Sequence, residues 1–186
     1  MTPKVKKLFF AVIIVQIVFL LGIVGYRETI LALGRTAVLQ TVPVDPRDLF
    51  KGEHVILRYE ISTIDEKSNV PSARPYRLIG EINEGDTVYV GIPEDSSAIN
   101  AADRYKPLYV RTDNPSGETD LFIKGKVTSQ KDNIITVEYG IERYFVPEGH
   151  GLEIEQADDV KVRVKINRSG VAAIEELIVD GEVWQP

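Results

Sequence analysis

From Leu8 to Val24 the chain reads LFFAVIIVQIVFLLGIV, 17 residues without a charge, and Gly25 and Tyr26 extend the run to 19. At about 1.5 Å of rise per residue, roughly 20 residues in a helix match a hydrocarbon core ~30 Å thick. A helix packed into a soluble core shows a polar face, whereas this run has only Gln16. A helix also satisfies each of its backbone N–H and C=O groups internally, which lipid demands. The run therefore predicts a transmembrane anchor over 8–26. Tyr26 and Arg27 then stand as an interfacial aromatic and a snorkelling cation. Gln16 is either a helix–helix hydrogen-bonding group in the bilayer or a single tolerated amide.

Lys4, Lys6 and Lys7 precede the run, and Arg27 and Glu28 follow it. The positive-inside rule keeps such an N-terminus in the cytoplasm and sends the rest of the chain across. The competing reading is a cleaved signal peptide. Its apolar region is usually about 7–15 residues and ends in a small-residue cleavage site. The run here is longer, and Gly25-Tyr26-Arg27-Glu28 is a poor cleavage site. The expected organisation is a basic tail over 1–7, the anchor over 8–26, a juxtamembrane segment over 27–35 and an extracytoplasmic β domain over 36–186. The expected location is the cytoplasmic membrane, single-pass, with the C-terminal domain outside the cytosol.

Of 22 Lys and Arg, only those three lysines lie before Arg27, so residues 27–186 hold 19 basic against 28 acidic groups, a net charge of −9. Such an acidic body argues against nucleic acid as a partner. There is no Cys, which excludes disulfides, thiolate metal sites and a Cys nucleophile.

After the anchor the apolar period changes to two. A strand is predicted near 37–42, and Asp45-Pro46-Arg47-Asp48 is turn chemistry. In His54–Ser62, Val55, Leu57, Tyr59 and Ile61 alternate with His54, Ile56, Arg58 and Glu60, the clearest strand pattern in the chain. Further strands are predicted near 77–82, 87–92, 108–111, 121–128, 134–139, 144–146, 160–166, 172–179 and 182–184. A short helix is predicted after Ser96, and a helical turn over 150–157. Asp132-Asn133 and Asp180-Gly181 are hairpin turn signals. Gly52-Glu53 and Gly85-Asp86 each lead into a strand, which reads as shared hairpin chemistry. About 150 residues of short strands imply a mainly β fold, an antiparallel barrel or sandwich, behind one N-terminal membrane helix.

The search for chemistry yields no catalytic residue, cofactor site or metal site. His54 and His150 are the two histidines, and a zinc site would need carboxylates to complete it. Lys161, Arg163 and Lys165 share one strand face and read as a solvated stripe, and Asp158-Asp159 and Glu175-Glu176 read as surface charges. An anchor followed by a β-rich domain resembles type I signal peptidases in architecture. Those use a Ser soon after the membrane helix and a Lys on a later strand. Here the first Ser after the anchor is Ser62, far along the domain, and fold alone does not transfer function.

The segment from Val44 to Ile61 resembles the signature of the GDYXXLXY family of bacterial membrane-anchored proteins. Gly52, Leu57 and Tyr59 fit the pattern; Glu53 replaces its Asp and His54 its first Tyr. Glu142-Arg143-Tyr144-Phe145-Val146-Pro147-Glu148-Gly149 resembles a second block of that family. The resemblance implies a single-pass anchored protein, often encoded beside multi-pass membrane proteins, without an established activity. Charged loop residues are not required by a core, so Arg47, Asp48 and Arg143 are candidate contact residues. Gly52, Glu53, His54, Glu142 and Glu148 join them. The favoured expectation is a non-catalytic accessory or subunit of an envelope complex, its partner a multi-pass membrane protein or another envelope protein. The alternatives are a signal-peptidase-like hydrolase and a ligand- or metal-sensing envelope module.

Overall fold

The computed structural model describes residues 3–42, 54–65, 77–93, 107–115, 117, 119–147 and 149–185. The apolar run forms the centre of one helix, α1 (Pro3–Leu33). It is long and apolar enough to cross a membrane, and no residue of its most apolar 18-residue window is buried within the protein. The helix continues through 27–33 without a break. Its end packs on the β domain, where Ile30 is only 5% exposed. Gly34 is the single residue between α1 and strand β1 (Arg35–Val42). The Gly34 N–H donates to the Ile30 carbonyl (2.8 Å). A Cβ at Gly34 would lie 2.4 Å from that same oxygen and 2.9 Å from the Ile166 nitrogen, so only Gly lets the helix turn directly into the sheet.

The remaining strands are β2 (His54–Ile56), β3 (Arg58–Tyr59), β4 (Thr63–Asp65), β5 (Arg77–Ile79), β6 (Thr87–Gly91), β7 (Tyr109–Arg111) and β8 (Phe122–Lys131). They continue with β9 (Ile134–Glu138), β10 (Arg143–Phe145), β11 (Val160–Ile166), β12 (Ala172–Val179) and β13 (Glu182–Val183). One short helix, α2 (Gly151–Glu155), precedes β11. One sheet has the order β13-β12-β11-β1-β3, another β4-β9-β8-β6-β7-β5, and β2 pairs with β10. Among the described residues the pairings are antiparallel except β5 with β7. The fold is mainly β, with a sheet curled as a half-barrel behind one N-terminal apolar helix. One core joins the sheets: Leu39, Val55, Val90, Ile123, Val162 and Leu177, from six different strands, belong to the same buried cluster.

The hairpin signals match the backbone. Asp132 and Asn133 have φ of 51° and 68°, and Asp180 and Gly181 have 50° and 89°. Positive φ at both central positions is the type I′ geometry that fits the twist of flanking strands. The helix predicted after Ser96 and the Asp45–Asp48 turn lie outside the described residues.

Three features differ from the sequence reading. First, residues 54–62 are not one strand. β2 pairs with β10, β3 pairs with the end of β1, a single 3-10 turn covers Glu60–Ser62, and β4 then joins β9. The alternation nevertheless holds: Val55, Leu57, Tyr59 and Ile61 are all buried. The inward face is continuous while the hydrogen-bonding partner changes. Second, β12 carries a bulge. Arg163 faces Glu176 and Val164 faces Ile174, leaving Glu175 as the extra residue. The bulge reverses the parity of the strand beyond it, so Ala173 faces away from the core and is buried (5% exposed) on the side where α1 packs.

Third, the cationic stripe of β11 is neutralised rather than merely solvated. Lys161 bonds Asp159, Arg163 bonds Glu176, and Lys165 lies 3.6 Å from Glu175. Lys165 also donates to the Thr36 hydroxyl (2.8 Å). The Lys161 hydrogen bond, helped by one from Gln40, holds the Asp159 carboxyl below its usual range. Of the acids read as surface charges, Asp159, Glu175 and Glu176 are these partners.

Gly34→Ala is predicted to destabilise the full chain in detergent by about 1–3 kcal/mol, because the clash is with backbone atoms that cannot swing away. Thermal unfolding followed by circular dichroism measures it. Gly22→Ala, with nothing within 4 Å of the new methyl, is the control and should leave the midpoint unchanged.

Candidate functional site

The described parts of the two sequence blocks singled out above, 54–61 and 142–147, meet in space. β2 and β10 pair with His54 opposite Phe145, Val55 opposite Tyr144 and Ile56 opposite Arg143. The contact continues beyond the ladder, where the Leu57 N–H donates to the Glu142 carbonyl (2.8 Å). Two tyrosines then lock the segments reciprocally. The Tyr59 hydroxyl donates to the Ile141 carbonyl and the Tyr139 hydroxyl to the Ile61 carbonyl, each at 2.6 Å.

The reason for this arrangement is backbone accounting. Ile61 sits in the 3-10 turn and Ile141 in the link between β9 and β10, so neither carbonyl lies within a strand ladder. A buried carbonyl without a donor costs free energy comparable to a lost hydrogen bond. The phenols supply those donors. Tyr59 is fully buried (0% exposed) and Tyr139 is buried as well. Burial raises both phenol pKa values far above 10.0, and the nearby Glu142 carboxylate raises them further. Both therefore remain protonated donors at neutral pH.

Glu142 is occupied locally. Its carboxylate accepts the backbone N–H of Tyr139 and that of Gly140, the latter at 2.8 Å. It shapes the turn that carries Tyr139 into position. Close packing holds that ring: a Cβ on Gly125 would fall 2.9 Å from Tyr139 Cδ1 and 2.4 Å from Val137 Cγ1. On the opposite flank Trp184 meets Tyr144 and His150 edge to face, each at 6.2 Å between ring centres. The His150 Nδ1 lies 3.3 Å from a Glu153 carboxylate oxygen.

The outer face of the β2–β10 ribbon differs from the inner one. Ile56 is 46% exposed and Phe145 74% exposed, and Arg143, opposite Ile56, is exposed too. Arg47, Asp48, Gly52, Glu53 and Glu148 lie outside the described residues, as does the side chain of His54. The structure thus brings Glu142 and Arg143 to the junction and gives them different settings, one in a turn and one in solvent. Among the described residues no three His, Asp or Glu side chains converge as a metal site would require. Ser62, the first serine after the apolar run, is 4% exposed, and its hydroxyl makes no hydrogen bond among the described residues.

Sequence reasoning missed Tyr139 and Trp184. Tyr139 was legible as the end of a strand. Its partnership with Ile61, 78 residues away, leaves no local pattern.

Tyr59→Phe and Tyr139→Phe are each predicted to lower stability by about 1–3 kcal/mol, since each strands a buried carbonyl. Chemical unfolding of the full chain in detergent should also show the pair to be non-additive, as joint members of one lock. The pH dependence has a definite sign. Folding raises both phenol pKa values, so their contribution is fully present below pH 10, the ordinary tyrosine value, and is lost as pH climbs above it. The double Phe variant should therefore show a flatter alkaline limb in unfolding midpoint against pH.

Comparison with known proteins bears on most of the chain. No curated protein and no solved structure matches it. The family model described as "GDYXXLXY protein" matches residues 16–177, which takes in most of α1, the paired blocks and the sheets through to Leu177. The chain therefore belongs to the GDYXXLXY family.

Proposed function

We propose that the chain is a non-catalytic accessory or subunit of a bacterial envelope membrane complex, tethered by α1 with its N-terminus in the cytoplasm and its β domain on the far side. The observation that carries this reading is the uncovered apolar helix that passes through one glycine into a folded, acidic β domain. Lipid is the medium in which such a helix surface is stable. Three lysines on its N-terminal side set the orientation.

What supports a contact role is the division of labour at the junction. The inner face of the paired blocks consists of side chains committed to packing and to the tyrosine lock. Its outer face presents Ile56, Arg143 and Phe145, an apolar pair with a cation beside it. An accessory docks through a shallow, partly apolar surface of this kind. A multi-pass membrane protein that shares the bilayer with α1 is the partner class this reading selects.

Two experiments test it. Protease added outside intact spheroplasts should digest the β domain, and protease confined to the cytosolic side should not; the reverse pattern overturns the topology. A photocrosslinker at Phe145 in intact cells should yield an adduct with one multi-pass membrane protein, lost in an Arg143→Glu background. Recovery of the chain alone at native expression overturns the accessory role.

A further inference from the structure

We infer that the Gln16 amide of α1 is the docking point for a transmembrane helix of the partner, an inference that rests on the membrane-anchored accessory reading above. The occupant is a helix of a multi-pass membrane protein that carries an amide, hydroxyl or carboxyl group at the depth of Gln16. Gln16 is the only polar side chain from Leu8 to Val24, and it is exposed on the surface of α1.

Its depth is the first argument. Gln16 lies eight residues from Leu8 and ten from Tyr26, about 12 Å and about 15 Å along a helix axis. That is close to the middle of the apolar run. A long cationic side chain near a helix end bends out to the interface, but the two methylenes of Gln do not cover such a distance. The amide therefore stays in hydrocarbon, where an unbonded polar group is costly.

The second argument is that the protein itself gives the amide nothing to bond. Its neighbours one turn away along the helix are Val12, Ile13, Phe19 and Leu20, and the backbone carbonyls around it belong to the uninterrupted ladder of α1. The β domain does not cover it, since no residue of the most apolar 18-residue window is buried within the protein. An amide offers two N–H donors and a carbonyl acceptor. A polar group on another helix is what satisfies them, the contact by which polar side chains join helices in a bilayer.

The face on which Gln16 lies decides against a second copy as the occupant. Alternating steps of four and three residues lead from Gln16 through Leu20, Ile23 and Arg27 to Ile30, the spacing of a helix–helix seam. Arg27 is exposed, and Ile30 is buried where α1 packs on β11 and β12. Two copies meeting in parallel along this seam would set Arg27 against Arg27, a like-charge contact. They would also crowd two β domains at the end of the same seam. A helix of a different protein meets neither obstacle and is free to place a polar group opposite the amide.

The test uses the full chain at native expression in intact cells, with a benzophenone amino acid in place of Leu20, beside Gln16, or of Val18, about 160° away around the helix. The Leu20 probe should give an adduct with a multi-pass membrane protein, its crosslinked peptide lying in an apolar segment that holds a polar residue. The Val18 probe should give at least tenfold less. Gln16→Met keeps the side-chain length and removes the amide; it should cut the Leu20 adduct at least tenfold while the chain still resists carbonate extraction. No adduct at Leu20, equal adducts from the two probes, or an undiminished adduct in Gln16→Met would overturn this inference. Persistence of the Phe145 adduct in those cells would leave the accessory reading standing. An adduct of the chain with itself would refute the multi-pass partner at this face in favour of a second copy. Release of wild type by carbonate would overturn the anchor reading, and this inference with it.

Discussion

The structure depends on how the segment from His54 to Asp65 satisfies its backbone while passing between sheets. It pairs in turn with β10, with β1 and with β9. Each change of partner leaves polar groups that no ladder covers, in a region buried from water. The hydroxyls of Tyr59 and Tyr139 fill two of those vacancies, each reaching the main chain of the other's segment. A sheet edge elsewhere could turn such groups to solvent; here the surrounding core forbids it. The two phenols therefore join what would otherwise be separate layers, and their burial keeps them protonated for that task.

A second constraint acts where α1 meets the sheet. With one residue between helix and sheet, the domain has little freedom to swing relative to its anchor. Gly34 permits the close approach, Ile30 is buried against the sheet, and Asn167 bonds Tyr26. The bulge at Glu175 contributes to the same contact. It reverses the facing of β12 beyond it, so that a small residue, Ala173, lies on the side where the helix packs. A flexible linker would allow the β domain to turn freely about the end of the helix. This joint instead holds the end of α1 against β11 and β12.

Packing explains the two positions of the family's motif whose surroundings are described. Leu57 and Tyr59 occupy inward positions of an alternating segment, and the Tyr59 hydroxyl is already committed. On the other side of the same ribbon Ile56, Arg143 and Phe145 are exposed, and the proposed contact surface is built from them. Charge on β11 is a different case. Its three cations have acidic partners within the domain, so they support the sheet rather than advertise a surface.

The sequence by itself determined the elements whose cause is local. A long uncharged run demands an apolar helix long enough to cross a membrane, period two demands strands with one buried face, and Asp-Asn and Asp-Gly adopt the positive φ of tight hairpins. These follow from side-chain transfer and backbone sterics within a few residues. Only the tertiary structure decided which edges pair, where Glu175 bulges out, and which carbonyls the tyrosines reach. The pairing of β1 with β11 and the tyrosine bonds couple residues far apart in the chain, and no local preference selects one distant edge over another. The candidate surfaces divide in the same way. Arg143 was legible as a charge that no core requires. Its place beside Ile56 on one outer face exists only because β10 pairs with β2.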